Sequence, residues 1–278
     1  MTKDKSLAGI RSALKWAGGK KKVVNEIASL LPSKGKTRLV EPFVGGGSVF
    51  LNLDFEEYLL VDMNQDLISL FNIIKTQPTQ FISDAEKLFS SIHNLPEAYY
   101  KFRVQFNESN DSYERSLLFL YLNRHGYNGL CRYNKSGGYN VPFGRYKRPY
   151  FPKEELKLFS EKAQKATFIQ GDFETAFSQL RANDVIYCDP PYSPINPTSN
   201  FTAYAGNSFT DEDQKRLVSC AEKAQSKKIP TLISNHYVDF TRELYKDATK
   251  KKLLKVQRSI SQKGKSRIKV QEILALYK

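Results

Sequence analysis

The chain has 278 residues, enough for one large domain or a domain with a sizeable insertion, and enough to bury a core. Its 43 Lys and Arg against 29 Asp and Glu leave a formal net charge of +14. That predicts a polyanionic partner, nucleic acid ahead of an anionic membrane surface, with a basic protein that meets neither as the plainer alternative. No run approaches about eighteen consecutive apolar residues, so no membrane-spanning helix is expected, and "MTKDKSLAGIRSALKW" lacks the apolar core of a signal peptide. The three cysteines, Cys131, Cys188 and Cys220, are widely spaced with no CxxC, which speaks against a disulfide framework or a cysteine zinc site and fits a reducing cytosol.

In chain order, "KKVVNEIASLLP" places Val23, Val24, Ile27, Leu30 and Leu31 at helical spacing. "TRLVEPF" and "EYLLVDM" are short apolar runs that each end in an acid, Glu41 and Asp62, and they read as buried parallel strands. Between them, "VGGGSVFLN" reads as a glycine turn opening a helix. Between about 66 and 126, "QDLISLFNIIK", "TQFISDAEKLFSSI" and "YERSLLFLYLNRH" are helical in period, with no convincing strand. Residues 126–150, "GYNGLCRYNKSGGYNVPFGRYKRPY", are rich in Gly, Asn, Tyr and Arg and read as exposed loops, with a hairpin at Ser136-Gly137-Gly138.

After residue 152 the alternation of strand and helix returns. "ATFIQGD", "DVIYCD" and "IPTLISNH" read as strands, and "DEDQKRLVSCAEKAQSKK" as a helix with Thr210 at its N-cap and Asp213 three residues on. The last segment reads as two strands joined at Lys263-Gly264. The expected architecture is α/β, with a parallel sheet in residues 1–65 and 151–278 split by a mainly helical insertion at 66–150. The polar loop 193–209, which carries Phe201, Tyr204 and Phe209, is expected to act as a lid. The run 246–269 holds ten Lys and Arg and one acid, Asp247; it either faces phosphates or is simply solvated.

In an open parallel sheet, ligands bind outside the carboxyl ends of the strands. Glu41, Asp62 and Asp189 therefore point at one crevice. Asp62, fifteen residues beyond Gly47, stands where an acid takes the hydroxyls of a nucleoside ribose, and Gly45 and Gly47 allow close backbone approach. Phe50 stands where GxGxxG needs its third glycine, and no GxxxxGK[ST] occurs, so a nucleoside without a pyrophosphate fits better than a dinucleotide. Taken alone, the glycines could equally pack a helix on a strand.

"DVIYCDPPY", 184–192, is a strand ending in a stiff acidic turn. An exocyclic amine on a base is a poor nucleophile because its lone pair is delocalised into the ring. The Asp189 carboxylate and the Pro190 carbonyl could accept its two N–H groups, on a backbone that proline rings make rigid, and Tyr192 offers a face for the base. The plainer alternative is a solvated aspartate before a Pro-Pro turn.

"LKWAGGK" (14–20), "VEPFVGGGSVFLN" (40–52), "LYLNRHGYNGLCRYN" (120–134), "NVPFGRYK" (140–147), "CDPPY" (188–192), "NFTAY" (200–204) and "LISNH" (232–236) occur in one order. By these motifs the chain, from about Leu14 to Lys278, closely resembles the Dam-type DNA adenine-N6 methyltransferases, a bacterial and phage family that uses S-adenosylmethionine and methylates GATC. The resemblance implies a Rossmann-like methyltransferase sheet with the insertion serving target recognition. It implies S-adenosylmethionine as cofactor, contacted by Trp16, Lys20, Glu41, Gly45, Gly47, Asp62 and Asp189, and no metal. It makes Asp189, Pro190 and Tyr192 the catalytic set. Arg132 resembles a reader of guanine, Leu130 a contact to the thymine methyl, and Lys15 a residue that reaches the outer guanine. Tyr127 and Asn128 resemble a pair that fills the stack after a base has flipped out. Pro142 resembles a base contact and Arg145 a phosphate contact. The partner implied is double-stranded DNA, with no membrane, a monomeric state, and a cytoplasmic, nucleoid-associated location.

Two rival activities remain: methylation of an amine on RNA or of a protein amide, and DNA binding without catalysis. Cytosine-C5 chemistry is disfavoured because none of the three cysteines follows a proline, and a zinc deaminase because HxE and PCxxC are absent.

Overall fold

The structure, a computed structural model, describes residues 9–32, 34–194, 209–257 and 269–278. In chain order its regular elements begin with α1 (Val24–Leu30), β1 (Arg38–Glu41), β2 (Glu57–Asp62), α2 (Gln65–Thr76), α3 (Pro78–Lys87), α4 (Pro96–Glu108) and α5 (Ser112–His125). They continue with α6 (Lys153–Ala163), β3 (Ala166–Gln170), α7 (Phe173–Phe177), β4 (Asp184–Cys188), α8 (Asp211–Ser226), β5 (Thr231–His236), α9 (Asp239–Leu244), β6 (Lys250–Gln257) and β7 (Lys269–Tyr277). The chain forms two compact units. One comprises Met1–Val24, Val44–Asp54 and Asn64–Gln170, and the other Asn25–Phe43, Phe55–Met63 and Gly171–Lys278.

The second unit carries six strands in the order β2-β1-β4-β5-β7-β6. The first four are parallel, and each contains the short apolar run that marked it as a strand in the sequence. Every residue of β1 and β4 is buried. Arg38 and Asp184, which open β1 and β4, are register partners and form a buried bidentate pair, Nε to Oδ1 at 2.8 Å and Nη2 to Oδ2 at 2.7 Å. Both charges lie out of water, so the pair is tolerated because two parallel charge-assisted hydrogen bonds satisfy it. It locks the amino-terminal ends of the two central strands in register.

The two strands expected at the end of the chain form the far edge, where β7 runs antiparallel to both β5 and β6. Parallel neighbours need a crossover of about a dozen residues or more, usually containing a helix, whereas successive antiparallel strands need only a turn. The turn expected at Lys263-Gly264 lies outside the described residues.

Helix α8 starts as its sequence predicts. The Thr210 hydroxyl accepts from the Asp213 N–H at 3.2 Å, and the Asp213 carboxylate takes the Thr210 N–H at 2.9 Å.

In the first unit α2, α3 and α5 lie on the three helical runs read from the sequence, and α4 is a further helix. Its buried residues are Tyr99 and Phe106, seven apart, too thin a stripe for periodicity to mark. Pro96 at its first turn is the signal that was there to be read. Residues 44–53 correct another expectation: they form successive turns, not a helix. Leu51 N–H bonds the Gly47 carbonyl, but Asn52 N–H bonds Val49, because the Asn52 side chain itself takes the Ser48 carbonyl at 2.8 Å.

Candidate active site

In the second unit β1 lies between β2 and β4, so Glu41, Asp62 and Asp189 stand at adjacent strand ends. Glu41 is buried, while Asp62 and Asp189 are half-exposed. The Ser234 hydroxyl on β5 donates to Asp189 Oδ1 at 3.0 Å and lies 2.9 Å from the Tyr187 hydroxyl. Pro190 is buried and Pro191 exposed. The Tyr192 hydroxyl donates to Glu272 Oε2 at 3.2 Å, and its ring meets His236 edge-on at 4.8 Å. Burial, and then the negative charges of Asp189 and Glu272, push the Tyr192 phenol well above its ordinary range, so it stays protonated at neutral pH.

The backbone on either side of Tyr192 is tied down from below. Gln214 on α8 donates to the Pro191 carbonyl at 2.8 Å, and Asn235 on β5 accepts the Ser193 N–H at 3.0 Å. His236 Nδ1 lies 2.8 Å from the Ser193 carbonyl. Sequence reasoning reached none of Gln214, Ser234, Asn235, His236 and Glu272 as parts of this strand end, although "LISNH" contains three of them. Cys188 is fully buried and its thiol is raised well above the ordinary value, so no thiolate nucleophile stands here. Of the aromatic residues of the expected lid, Phe209 packs edge-on against Phe43 at 5.6 Å, while Phe201 and Tyr204 lie outside the described residues.

In the first unit the glycine turn is shaped around Trp16. Gly45 has φ +49°, and a Cβ there would lie 2.8 Å from the indole Nε1; at Gly46 a Cβ would lie 2.8 Å from Trp16 Cβ. At Gly47 the demand is backbone conformation, φ +72°, since a Cβ there would meet ordinary contacts. Lys20 is buried, with Nζ on the Gly18 carbonyl at 2.9 Å.

The same unit brings together the residues expected to read DNA. Two antiparallel bridges, Gly126–Phe143 and Tyr133–Tyr139, lay 126–134 alongside 139–145, and the Tyr127 N–H bonds the Pro142 carbonyl at 2.8 Å. Tyr127, Asn128, Arg132, Pro142 and Arg145 are exposed and Leu130 is half-buried. Asn128 and Arg145 both adopt left-handed backbone, φ +53° and +52°. Lys15 joins them through its main chain, which exchanges two hydrogen bonds with Asn123 at 2.8 Å each. Its stem crosses Gly129, where a Cβ would lie 2.2 Å from Lys15 Cβ, so only glycine fits there. Its ammonium sits 3.7 Å over the Tyr146 ring and 3.2 Å from the Arg124 carbonyl oxygen. Burial, with the charge of Arg124 second, lowers the Lys15 ammonium to about 8.

In the basic run 246–269, read as either facing phosphates or solvated, Lys246 and Lys252 form ion pairs with Glu243 and Glu26. Lys263, Lys265 and Arg267 lie outside the described residues.

An α/β sheet whose β4 runs into Asp-Pro-Pro-Tyr, in a strongly basic chain, defines a methyltransferase of amino groups on nucleic acid. Residues 16–261 match the family model described as D12 class N6 adenine-specific DNA methyltransferase, and the chain belongs to that family. It is 55% identical over 270 residues to a protein named DNA adenine methylase from Escherichia coli (strain K12), covering 96% of this chain and 95% of that one. It is 53% identical over 268 residues to a DNA adenine methylase of Vibrio cholerae serotype O1, covering 96% of each. To that of Haemophilus influenzae it is 51% identical over 269 residues, covering 96% of this chain and 93% of the other. The enzyme methylates DNA on the N6 amine of adenine, and its fold is the Rossmann-like methyltransferase fold expected from the sequence. No described helix is long and apolar enough to cross a membrane.

Proposed function

We propose that the enzyme uses S-adenosylmethionine to methylate a flipped-out adenine within GATC in duplex DNA, acting as a cytoplasmic, nucleoid-associated monomer. The observation that carries this reading is the Asp189-Pro190-Pro191-Tyr192 strand end, braced by Ser234, Asn235 and Gln214. Residues 1–65 and 151–278 would carry the cofactor and the chemistry, and 66–150 the target readout.

The resemblance assigns the cofactor contacts. Asp62 at the end of β2 would take the ribose hydroxyls, with Glu41 a further contact. Trp16 would lay its ring along the methionyl and adenine side, with Gly45 and Gly47 admitting the backbone to close contact, and Lys20 would pair with the carboxylate. When bound, S-adenosylmethionine supplies an electrophilic methyl group carried on a sulfonium.

The chain's own residues prepare the nucleophile. The Asp189 carboxylate accepts one N6–H and the Pro190 carbonyl the other, which draws the nitrogen from planar toward tetrahedral geometry and frees its lone pair. The Tyr192 ring supports the base on its face. Formation of the new C–N bond would break the methyl–sulfur bond and leave its electron pair on sulfur in S-adenosylhomocysteine, and the extra proton on nitrogen passes to the Asp189 carboxylate and on to water. Hydrogen-bond acceptors prepare the nitrogen and take up its proton, so the reaction asks nothing of a metal ion. Target choice rests on Arg132 at a guanine, Lys15 at the outer guanine, Leu130 at the thymine methyl and Pro142 at a base edge, with Arg145 on a phosphate. Tyr127 and Asn128 fill the stack that the adenine leaves.

Sequencing of modified bases in DNA exposed to the purified protein and S-adenosylmethionine tests the reading. N6-methyladenine confined to GATC is the expected result. Methylation scattered over other sequences would remove GATC, and methyl transfer confined to RNA or protein would remove the DNA reading altogether.

A further inference from the structure

Two buried carboxamides, Gln214 and Asn235, form a relay beneath the Pro190–Ser193 backbone. Gln214 is 1% exposed and Asn235 0%. Gln214 projects from the first turns of α8, whose start is held by the Thr210–Asp213 capping box. Its Nε2 donates to the Pro191 carbonyl at 2.8 Å. Asn235 Nδ2 donates to Gln214 Oε1 at 3.1 Å and to the Tyr245 hydroxyl oxygen at 3.0 Å. Asn235 Oδ1 accepts the Ser193 N–H at 3.0 Å and the His236 N–H at 2.9 Å.

The chemistry of the partners dictates the orientation of both amides. A carbonyl can only accept, so the Gln214 group facing Pro191 must be its NH2. Its oxygen then faces Asn235, which must answer with NH2. The Asn235 oxygen is left for Ser193 N–H, a group that can only donate. Reversing either amide breaks the chain at both ends, so the relay has one arrangement.

What it holds is the unusual part. Neither Pro190 nor Pro191 has an N–H, so this turn can be anchored only through its carbonyls and through the next N–H that is available. Gln214 and Asn235 take two such groups, the Pro191 carbonyl and the Ser193 N–H, one on each side of Tyr192. Building on the reading that Asp189, Pro190 and Tyr192 are the catalytic set, we infer that Gln214 and Asn235 are positioning residues for methyl transfer. They set the direction of the Pro190 carbonyl and the plane of the Tyr192 ring while touching neither substrate.

Gln214→Glu and Gln214→Met test this, since both keep the length of the side chain. The first keeps a donor at the Pro191 carbonyl only while its buried carboxyl is protonated, so its loss should grow as the pH is raised, and the second removes the donor at every pH. Single-turnover methylation of a GATC duplex should fall about 10- to 100-fold, the range that a displacement of about 1 Å produces. The cofactor Kd and the duplex Kd should stay within about twofold, because cofactor and DNA are contacted by other residues. A residue that serves only stability would lower the unfolding midpoint and the fraction of active molecules in a burst, while each folded molecule kept its rate. Asn235→Asp should act like Gln214→Glu, and the double variant should lose little more than either single one, since the two act as one relay.

A near-normal single-turnover rate per active molecule in both Gln214 variants would overturn the inference, as would a loss confined to either Kd. Asp189→Ala, run alongside, separates the outcomes. If it keeps its rate, the catalytic reading itself falls; if it is dead while the Gln214 variants run normally, only the relay falls.

Discussion

Ser234, in β5, donates its hydroxyl to Oδ1 of Asp189, the residue that follows β4, at 3.0 Å. The bond crosses 45 residues of sequence between two adjacent parallel strands. It fixes one carboxylate oxygen, and with it the direction in which Asp189 presents itself.

Asp189→Ala is therefore expected to abolish methyl transfer while duplex binding stays largely intact, because the variant keeps the basic surface. Ser234→Ala should be milder, since it removes one hydrogen bond to a charged group, worth about 1.5–3 kcal/mol. Rapid-quench single-turnover measurements check both. A near-normal rate in Asp189→Ala is incompatible with the mechanism.

Asp62→Ala should weaken S-adenosylmethionine by about 1.5–3 kcal/mol, the worth of a charge-assisted hydrogen bond, and leave DNA binding in the absence of cofactor unchanged. Asp62 is the last residue of β2, and its carbonyl is held by the Gly171 N–H at 3.0 Å, so the alanine variant keeps its backbone. Calorimetric titration with the cofactor measures the loss, and an unaltered affinity would remove Asp62 from the site.

Arg132→Ala should cost discrimination more than general affinity. Its guanidinium is exposed and is aimed by Asn140, Nε to Oδ1 at 2.7 Å and Nη2 to the main-chain oxygen at 3.1 Å. Losing a bidentate fork on guanine should cost about 1–3 kcal/mol at one base pair. Duplexes with each position of GATC replaced singly provide the measurement. Loss confined to one guanine assigns the readout, and uniform weakening would make Arg132 a phosphate contact.

Lys15 should take up a proton when DNA binds in alkaline solution. Its folded pKa is lowered to about 8 from 10.5, so in free enzyme at pH 9 the amine is mostly neutral. A polyanion favours the charged form and raises that value. Protons are then absorbed on binding above about pH 8, and little is exchanged near pH 6, where the group is already charged. Calorimetry in buffers of different ionisation enthalpy reads the uptake directly. Lys15→Met, which keeps the stem across Gly129, should abolish it; persistence of the uptake would place it on another group. The same shift affects folding. Between about pH 8 and 10.5 the unfolded chain holds a proton that the folded chain does not, so stability rises with pH relative to Lys15→Met.

Much of this enzyme was legible from residues alone. The consecutive apolar residues Leu39–Val40 in β1 and Val185–Cys188 in β4 mark them as central strands, because a strand covered on both faces does not alternate apolar with polar positions. Thr210 and Asp213 mark the start of α8 because a capping box is complete within four residues. The glycine turn, the Asp-Pro-Pro-Tyr strand end and the Asn-Gly loop are likewise local, and their order along the chain identified the family. What only the tertiary structure decided are the contacts between distant segments. Glu272 reaches Tyr192 because β7 enters antiparallel beside β5, and Gln214 meets Pro191 because α8 packs on β5, where Gln214 bonds Asn235. Both pairings depend on strand order and on where a helix comes back to the sheet, and neither leaves a period or spacing in the residues themselves. The turns at 44–53 belong with these, since Asn52 takes the Ser48 carbonyl while also holding Ile10, a partner that periodicity cannot see.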